Sequence, residues 1–220
     1  MLLLAFDTAT PAVTAALHDG EAVLAECTRI DARRHGELLL PVIDRVLTEA
    51  GADKGELTGI AVGVGPGPYT GLRVGLATAA ALGHALGIPV HGVCTLDGIA
   101  HAARAGGLAE PFAVATDARR KEVYWAAYDA AGARVSGPDV DRPAEIADRV
   151  AGLPAVGAGA LLYPDAFTGA RGPEHLSAAH LAAHAAERLA AGEQLLPPVP
   201  LYLRRPDAQV PAGYKAVLPA

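Results

Sequence analysis

Gly63-Val64-Gly65-Pro66-Gly67-Pro68-Tyr69-Thr70-Gly71-Leu72-Arg73-Val74-Gly75 is the stretch from which this chain can be read. The apolar run Ile60–Val64 enters it and an alanine-rich segment reaching Leu86 leaves it, so glycines and prolines mark a strand-to-helix turn. Backbone N–H groups at such a helix start attract anions, and glycine permits close backbone approach. A phosphate cradle and a tight architectural turn are both open readings. No lysine follows the glycines, as a Walker A loop requires, and the third glycine of a dinucleotide fingerprint is missing. Pro68 also removes an N–H that phosphate would use. Gly65, Pro66, Gly67, Thr70 and Gly71 are therefore expected to shape a structural loop. Arg73, the nearby cation, stays open to a direct polar role.

Working outward, Leu2–Asp7, Ala12–Leu17 and Ala22–Cys27 read as a three-stranded meander, with His18-Asp19-Gly20 as hairpin chemistry. An amphipathic helix is predicted over His35–Ala50, with Leu39, Val42, Ile43, Val46 and Leu47 on one face and a second apolar row, Leu38 and Leu40, off it. Pro41 either starts that helix proper or bends it, and Gly51 ends it. The strand Ile60–Val64, the helix Thr70–Leu86, the strand Ile88–Val93 and the helix Thr95–Ala105 complete a βββαβα order.

After Gly106-Gly107 the order restarts. Phe112–Thr116, Glu122–Tyr128 and a weaker Arg134-Val135 read as strands, then a helix Ala144–Val150, a strand Ala155–Ala158 and a helix Ser177–Ala191 with Ser177 as N-cap. The expected organisation is a first domain over 1–106, a second over 107–196 and a proline-rich tail over 197–220.

Composition narrows the function classes. The 220 residues are 51% hydrophobic with net charge −6 and no basic run, so the chain alone carries no electrostatic footprint for a polyanion. Cys27 and Cys94 lie in apolar runs without CxxC spacing and read as buried thiols. The apolar start meets Asp7 within a few residues and has no basic flank, so it reads as a strand rather than a leader. No uncharged segment approaches the ~20 residues of a membrane span. A cytoplasmic protein is expected.

Asp7 and Asp117 each end the first strand of a half. Paired acids facing a cleft can hold a metal–phosphate complex, and they can equally cap turns. His180 and His184 share a helix face at i,i+4, but position 181 is Leu, so the H-E-x-x-H general base is missing. A solvated or half-buried helix face is the favoured reading of that pair. Ser136 and Ser177 are the only serines, and no G-x-S-x-G occurs.

Five motifs in order, Ala5-Phe6-Asp7-Thr8-Ala9-Thr10, His35-Gly36-Glu37-Leu38-Leu39-Leu40-Pro41, the glycine loop through Arg73, Asp117-Ala118-Arg119-Arg120-Lys121-Glu122-Val123-Tyr124 and Pro200-Leu201-Tyr202-Leu203-Arg204, make the chain resemble the TsaB (YeaZ) family over essentially its whole length. The resemblance implies an α/β protein of two ribonuclease-H-like βββαβα domains, the actin-like (ASKHA) fold. It implies a non-catalytic dimerisation and activating subunit working with TsaD and TsaE, in transfer of threonylcarbamoyl from threonylcarbamoyl-AMP to the adenosine beside the anticodon of tRNA. Metal and active site would lie in TsaD, with tRNA reached through the complex.

On this reading no catalytic or metal residue is expected here. ATP or ADP is expected at most at the interface with the partner, near Asp7, Asp117 and Arg119, and the isolated chain is open to homodimerisation. His35, Glu37, Leu38, Leu39, Pro41, Val42, Val46, Val74, Thr78 and Leu82 are the expected partner interface. The sequence departs from the family pattern at Gly36, at Pro68 and at Lys121, where Gly is common. Alternatives are a stand-alone ATP-dependent phosphotransferase built on Asp7 and Asp117, and a metallopeptidase built on His180 and His184.

Overall fold

β1 (Leu3–Asp7) is buried along its whole length because both of its faces are covered. Alternation sends Leu4 and Phe6 into one core and Leu3 and Ala5 into another, which is why the strand reads as a continuous apolar run rather than an alternating one. The computed structural model describes residues 1–204; the part of the expected tail beyond Arg204 lies outside the described residues.

The first sheet has the order β3-β2-β1-β4-β5. β2 (Ala12–His18) pairs antiparallel with β1 and β3 (Val23–Ile30), whereas β4 (Gly59–Gly63) and β5 (Val90–Val93) run parallel to β1. Parallel neighbours need a crossover. α1 (His35–Ala50) leads into β4, and α2 (Tyr69–Leu86) carries the chain from β4 to β5. α1 runs unbroken through Pro41, so the helix does not begin there, and Gly51 closes it in the left-handed conformation. α1 and α2 cover one face of the sheet through Leu39, Val42, Ile43, Val46 and Ala79.

The second sheet repeats the plan with one strand fewer. β6 (Phe112–Asp117), β7 (Val123–Tyr128), β8 (Arg134–Asp141) and β9 (Ala155–Val156) lie in the order β8-β7-β6-β9, antiparallel except for β6 with β9. α4 (Pro143–Val150) and a short α5 (Ala158–Leu162), which the sequence reading assigned to no helix, cover its outer face over Trp125, Ile146 and Phe167. β8 extends well past the weak Arg134-Val135 signal; as an edge strand it is only partly buried, so its sequence carries little apolar contrast.

The boundary near residue 106 separates the two sheets but not their cores. α6 (Ala178–Ala190) packs on β1 and β2 of the first sheet, and α3 (Thr95–Ala105) packs on α6 and on β6 and β7. One apolar cluster consequently runs from Leu3, Ala5 and Ala61 through Leu96, Ile99 and Leu181 to Phe112 and Tyr128. Ser177 stands at the N-cap of α6, yet its Oγ donates to Glu26 at 2.6 Å instead of capping. Thr14 of β2 takes over that role, its Oγ1 accepting from the Ala178 N–H at 3.0 Å.

The last described residues cross the surface as a strap. Leu196 pairs with Gly92 of β5, Leu201 N–H donates to Val64 O at 2.8 Å, and Tyr202 stacks on Tyr69 with centroids 5.2 Å apart. Both cysteines are buried free thiols, and burial pushes the Cys94 thiol up to about 12, which makes it inert at neutral pH.

Candidate functional site

The turn Asp7-Thr8-Ala9-Thr10 follows β1, and the glycine loop lies directly on it. A Cβ at Gly63 would fall within the Asp7 carboxylate, and one at Gly67 would fall on the Ala9 carbonyl. Only glycine permits this approach. Thr8 Oγ1 donates to Gly71 O at 2.7 Å and accepts from Gly75 N–H at 3.0 Å, which fixes the first two turns of α2 to the turn that follows β1. The loop therefore closes onto the turn after β1, and Gly65, Pro66, Gly67 and Gly71 are buried in doing so.

Asp7 is fully buried. Its Oδ1 accepts from Ala9 N–H at 2.7 Å, and its Oδ2 accepts from the Thr95 hydroxyl at 2.7 Å. The Thr95 oxygen in turn accepts from Gly65 N–H at 3.2 Å. Burial raises the carboxyl to about 6, against the pull of the Thr95 and Ala9 hydrogen bonds. The expectation that Asp7 and Asp117 face each other across a cleft does not hold, because the Asp7 carboxylate is spent on Thr95 and the β1–β2 turn.

A cleft of about 490 Å³ does open between the lobes, with Asp117 but not Asp7 in its wall. Thr10, Arg33, His35, Thr70 and Gly71 line one side, and Asp117, Arg119, Leu162, Glu174 and His175 the other. His35 Nε2 lies 2.8 Å from Thr10 O. Asp117 accepts from Arg119 N–H at 2.8 Å and pairs with its guanidinium at 3.2 Å. Arg119, Arg120 and Lys121 all hold positive φ, at 63°, 56° and 62°. That explains why glycine suits position 121: an L side chain pays a steric cost in the left-handed region.

The expected interface residues divide in two. Leu39, Val42 and Val46 are 1%, 3% and 0% exposed and belong to the core under the sheet, so they offer no docking surface. Their one-face spacing recorded burial against the chain's own sheet. Glu37 and Pro41 are exposed, and His35, Leu38, Val74, Thr78 and Leu82 are half-buried. Leu40, on the second apolar row, is 57% exposed.

His180 and His184 lie on a half-buried face of α6, as the favoured reading expected, against His101 of α3. The Nδ1 atoms of His101 and His180 are 3.2 Å apart, and His101 Nε2 is 3.2 Å from Glu187. Among the described residues no group of three or more His, Cys, Asp or Glu side chains is arranged to hold a metal ion. The role of Thr95 and the stacking of Arg73 and Tyr202 on Tyr69 are not legible in the sequence. Only the i,i+4 spacing of Tyr69 and Arg73, whose guanidinium sits 3.7 Å over the ring, gave a usable signal.

Two mixed sheets that each repeat a three-strand meander followed by parallel crossovers, joined across a cleft, define a protein of the ribonuclease-H-like, actin-like class. A family model described as TsaD, tRNA N6-adenosine threonylcarbamoyltransferase, matches residues 27–171. YeaZ from Pseudomonas aeruginosa superposes with a TM-score of 0.81 at 30% identity, over 92% of this chain and 99% of that one. An uncharacterised protein of Mycobacterium tuberculosis is 46% identical over 214 residues, 94% of this chain and 93% of that protein. The tRNA threonylcarbamoyladenosine biosynthesis protein TsaB of Escherichia coli is 38% identical over 128 residues, 58% of this chain and 55% of that protein. This chain belongs to the TsaB (YeaZ) family, inside the wider group that the matching model describes.

Proposed function

We propose that this chain is a non-catalytic dimerisation and activating subunit in tRNA threonylcarbamoyladenosine biosynthesis, acting in the cytoplasm with TsaD as its direct partner and TsaE in the same assembly. The observation that carries this reading is the use made of Asp7. The strand-end acid is buried, hydrogen-bonded to Thr95 and roofed by the glycine loop, so the stretch best placed for phosphate chemistry serves to seat α2. A stand-alone phosphotransferase built on Asp7 and Asp117 is correspondingly disfavoured.

The docking face is assigned to the outward sides of α1 and α2: Leu38 and Leu40 on the first, Val74, Thr78 and Leu82 on the second, with His35, Glu37 and Pro41 at the rim. Exposed apolar residues beside half-buried ones on two adjacent helices suit a helix-on-helix interface. Asp117 and Arg119, on the cleft wall, are the groups on this chain that would meet a nucleotide shared with the partner. tRNA is reached through the complex, and the same helical face would serve a homodimer in the isolated chain.

Co-purification with TsaD and reconstitution of tRNA modification test the reading. Leu40→Glu is expected to weaken the heterodimer strongly while leaving the fold intact, because Leu40 is 57% exposed in this chain and a buried unpaired charge is costly at an interface. Undiminished heterodimer formation would overturn the assigned face, and modification that proceeds equally well without this chain would overturn the role.

A further inference from the structure

The strap Leu196–Arg204 touches three places that are distant in sequence. At its start Leu196 exchanges backbone hydrogen bonds with Gly92 at the edge of the first sheet, at 2.7 and 3.1 Å. In its middle Leu201 binds the glycine loop at Val64 O, and Tyr202 lies on Tyr69, the first residue of α2. At its end Arg204 Nη1 donates to Ala118 O at 3.2 Å, and the same guanidinium pairs with Glu122.

Ala118 and Glu122 bracket the three consecutive residues held at positive φ. Such a conformation persists in non-glycine residues only where the surroundings over-determine it. The hairpin supplies part of that through Ala118 N–H to Glu122 O, Glu122 N–H to Arg119 O, and Arg119 N–H to Asp117. Arg204 grips the same turn from outside, at both of its ends. Arg119 is the turn residue that reaches the cleft wall.

We propose that the strap is a clamp that couples the start of α2 to the Arg119 turn across the cleft, with Arg204 the positioning residue that keeps Arg119 on the cleft wall. When the strap is seated, Tyr202 covers Tyr69 and the strained turn is held closed. A surface that displaces Tyr202 from Tyr69 loosens the strap and so releases the turn, and an anionic group that captures Arg204 loosens the start of α2 by the reverse route. The coupling resides within one chain and stands whether or not the assembly proposed above is correct.

Amide hydrogen exchange on the full chain tests it. In Arg204→Ala the amides of Ala118, Arg119 and Glu122 are expected to exchange roughly tenfold faster, and those of Leu72 and Gly75 in α2 several-fold faster, with β1 and β4 unchanged. Tyr202→Ala is the reciprocal probe and is expected to accelerate both sites as well. Exchanging the charges, with Arg204→Glu and Glu122→Arg together, restores the ion pair but not the donation to Ala118 O, and is expected to recover part of the protection at both. Acceleration confined to the end that was mutated, no acceleration at either, or a charge exchange that recovers no protection at all would overturn the clamp.

Discussion

Asp7 and Thr95 meet at 2.7 Å across 88 positions of sequence, tying the end of the central strand to the first residue of α3 beneath the glycine loop. The loop itself is fastened to the same pair through the Gly65 N–H. A single buried carboxylate thus organises the junction of β1, β4 and α3.

Asp7 makes stability depend on pH. Its folded value of about 6 lies above the ordinary 3.8, so its contribution is complete below about 3.8 and is lost as pH rises through about 6. The difference corresponds to about 3 kcal/mol at most. In urea melts between pH 4 and pH 7, wild type is expected to lose stability relative to Asp7→Asn as pH rises; parallel curves would refute the assignment.

The glycines of the loop are required for contact, not for flexibility. Gly63→Ala is expected to cost about 3 kcal/mol or more, since its Cβ has no room beside Asp7 and overpacking in a closed core is expensive. Alanine at Gly87, where a Cβ meets nothing within 4 Å, is expected to cost only its left-handed strain, about 1 kcal/mol. Equal losses in denaturant melts would show that conformational freedom, not contact, is what Gly63 provides.

The histidine cluster acts in the opposite pH sense to Asp7. Burial, reinforced by His101, lowers His180, and burial also lowers His184. The groups facing them include His101, Glu187, Asp97, Arg188 and Glu26. Stability from these two rings is complete above the ordinary 6.5 and falls as pH drops below it. His180→Gln with His184→Gln is expected to flatten the decline in melting temperature between pH 6.5 and pH 5.

Core and surface on α1 separate at adjacent positions. Leu39→Ala is expected to destabilise by about 3 kcal/mol and Leu40→Ala by no more than about 0.5 kcal/mol, as read from denaturation midpoints. A large loss at Leu40 in the isolated chain would mean that this position is covered by a second copy.

Lys121→Gly is expected to stabilise the chain by about 0.5–1 kcal/mol, because glycine carries no left-handed penalty at φ 62°. Lys121→Ala, which keeps the Cβ, should bring no such gain in a thermal melt.

Local chemistry carried most of the element plan. The bounds of α1 at His35 and Ala50 are legible because an amphipathic period and a left-handed Gly51 coincide there, and those of α3 are legible from its apolar period, although Gly106 after it is not left-handed. α5 was missed because five residues, Ala158–Leu162, are too few to show a helical period. Val42 and Val46 are expected from sequence at a partner interface, although periodicity identifies only the apolar side of a helix; it does not say whether the chain's own sheet or another protein covers that side.

By itself the sequence determined the two-fold element order, the structural character of the glycine loop and the family resemblance, because each rests on neighbours a few residues apart. Only the tertiary structure decided that Asp7 turns away from the cleft, that α6 returns to the first sheet and that Arg204 closes on Glu122. Those outcomes depend on burial and on contacts between residues far apart in the chain, which residue spacing does not encode.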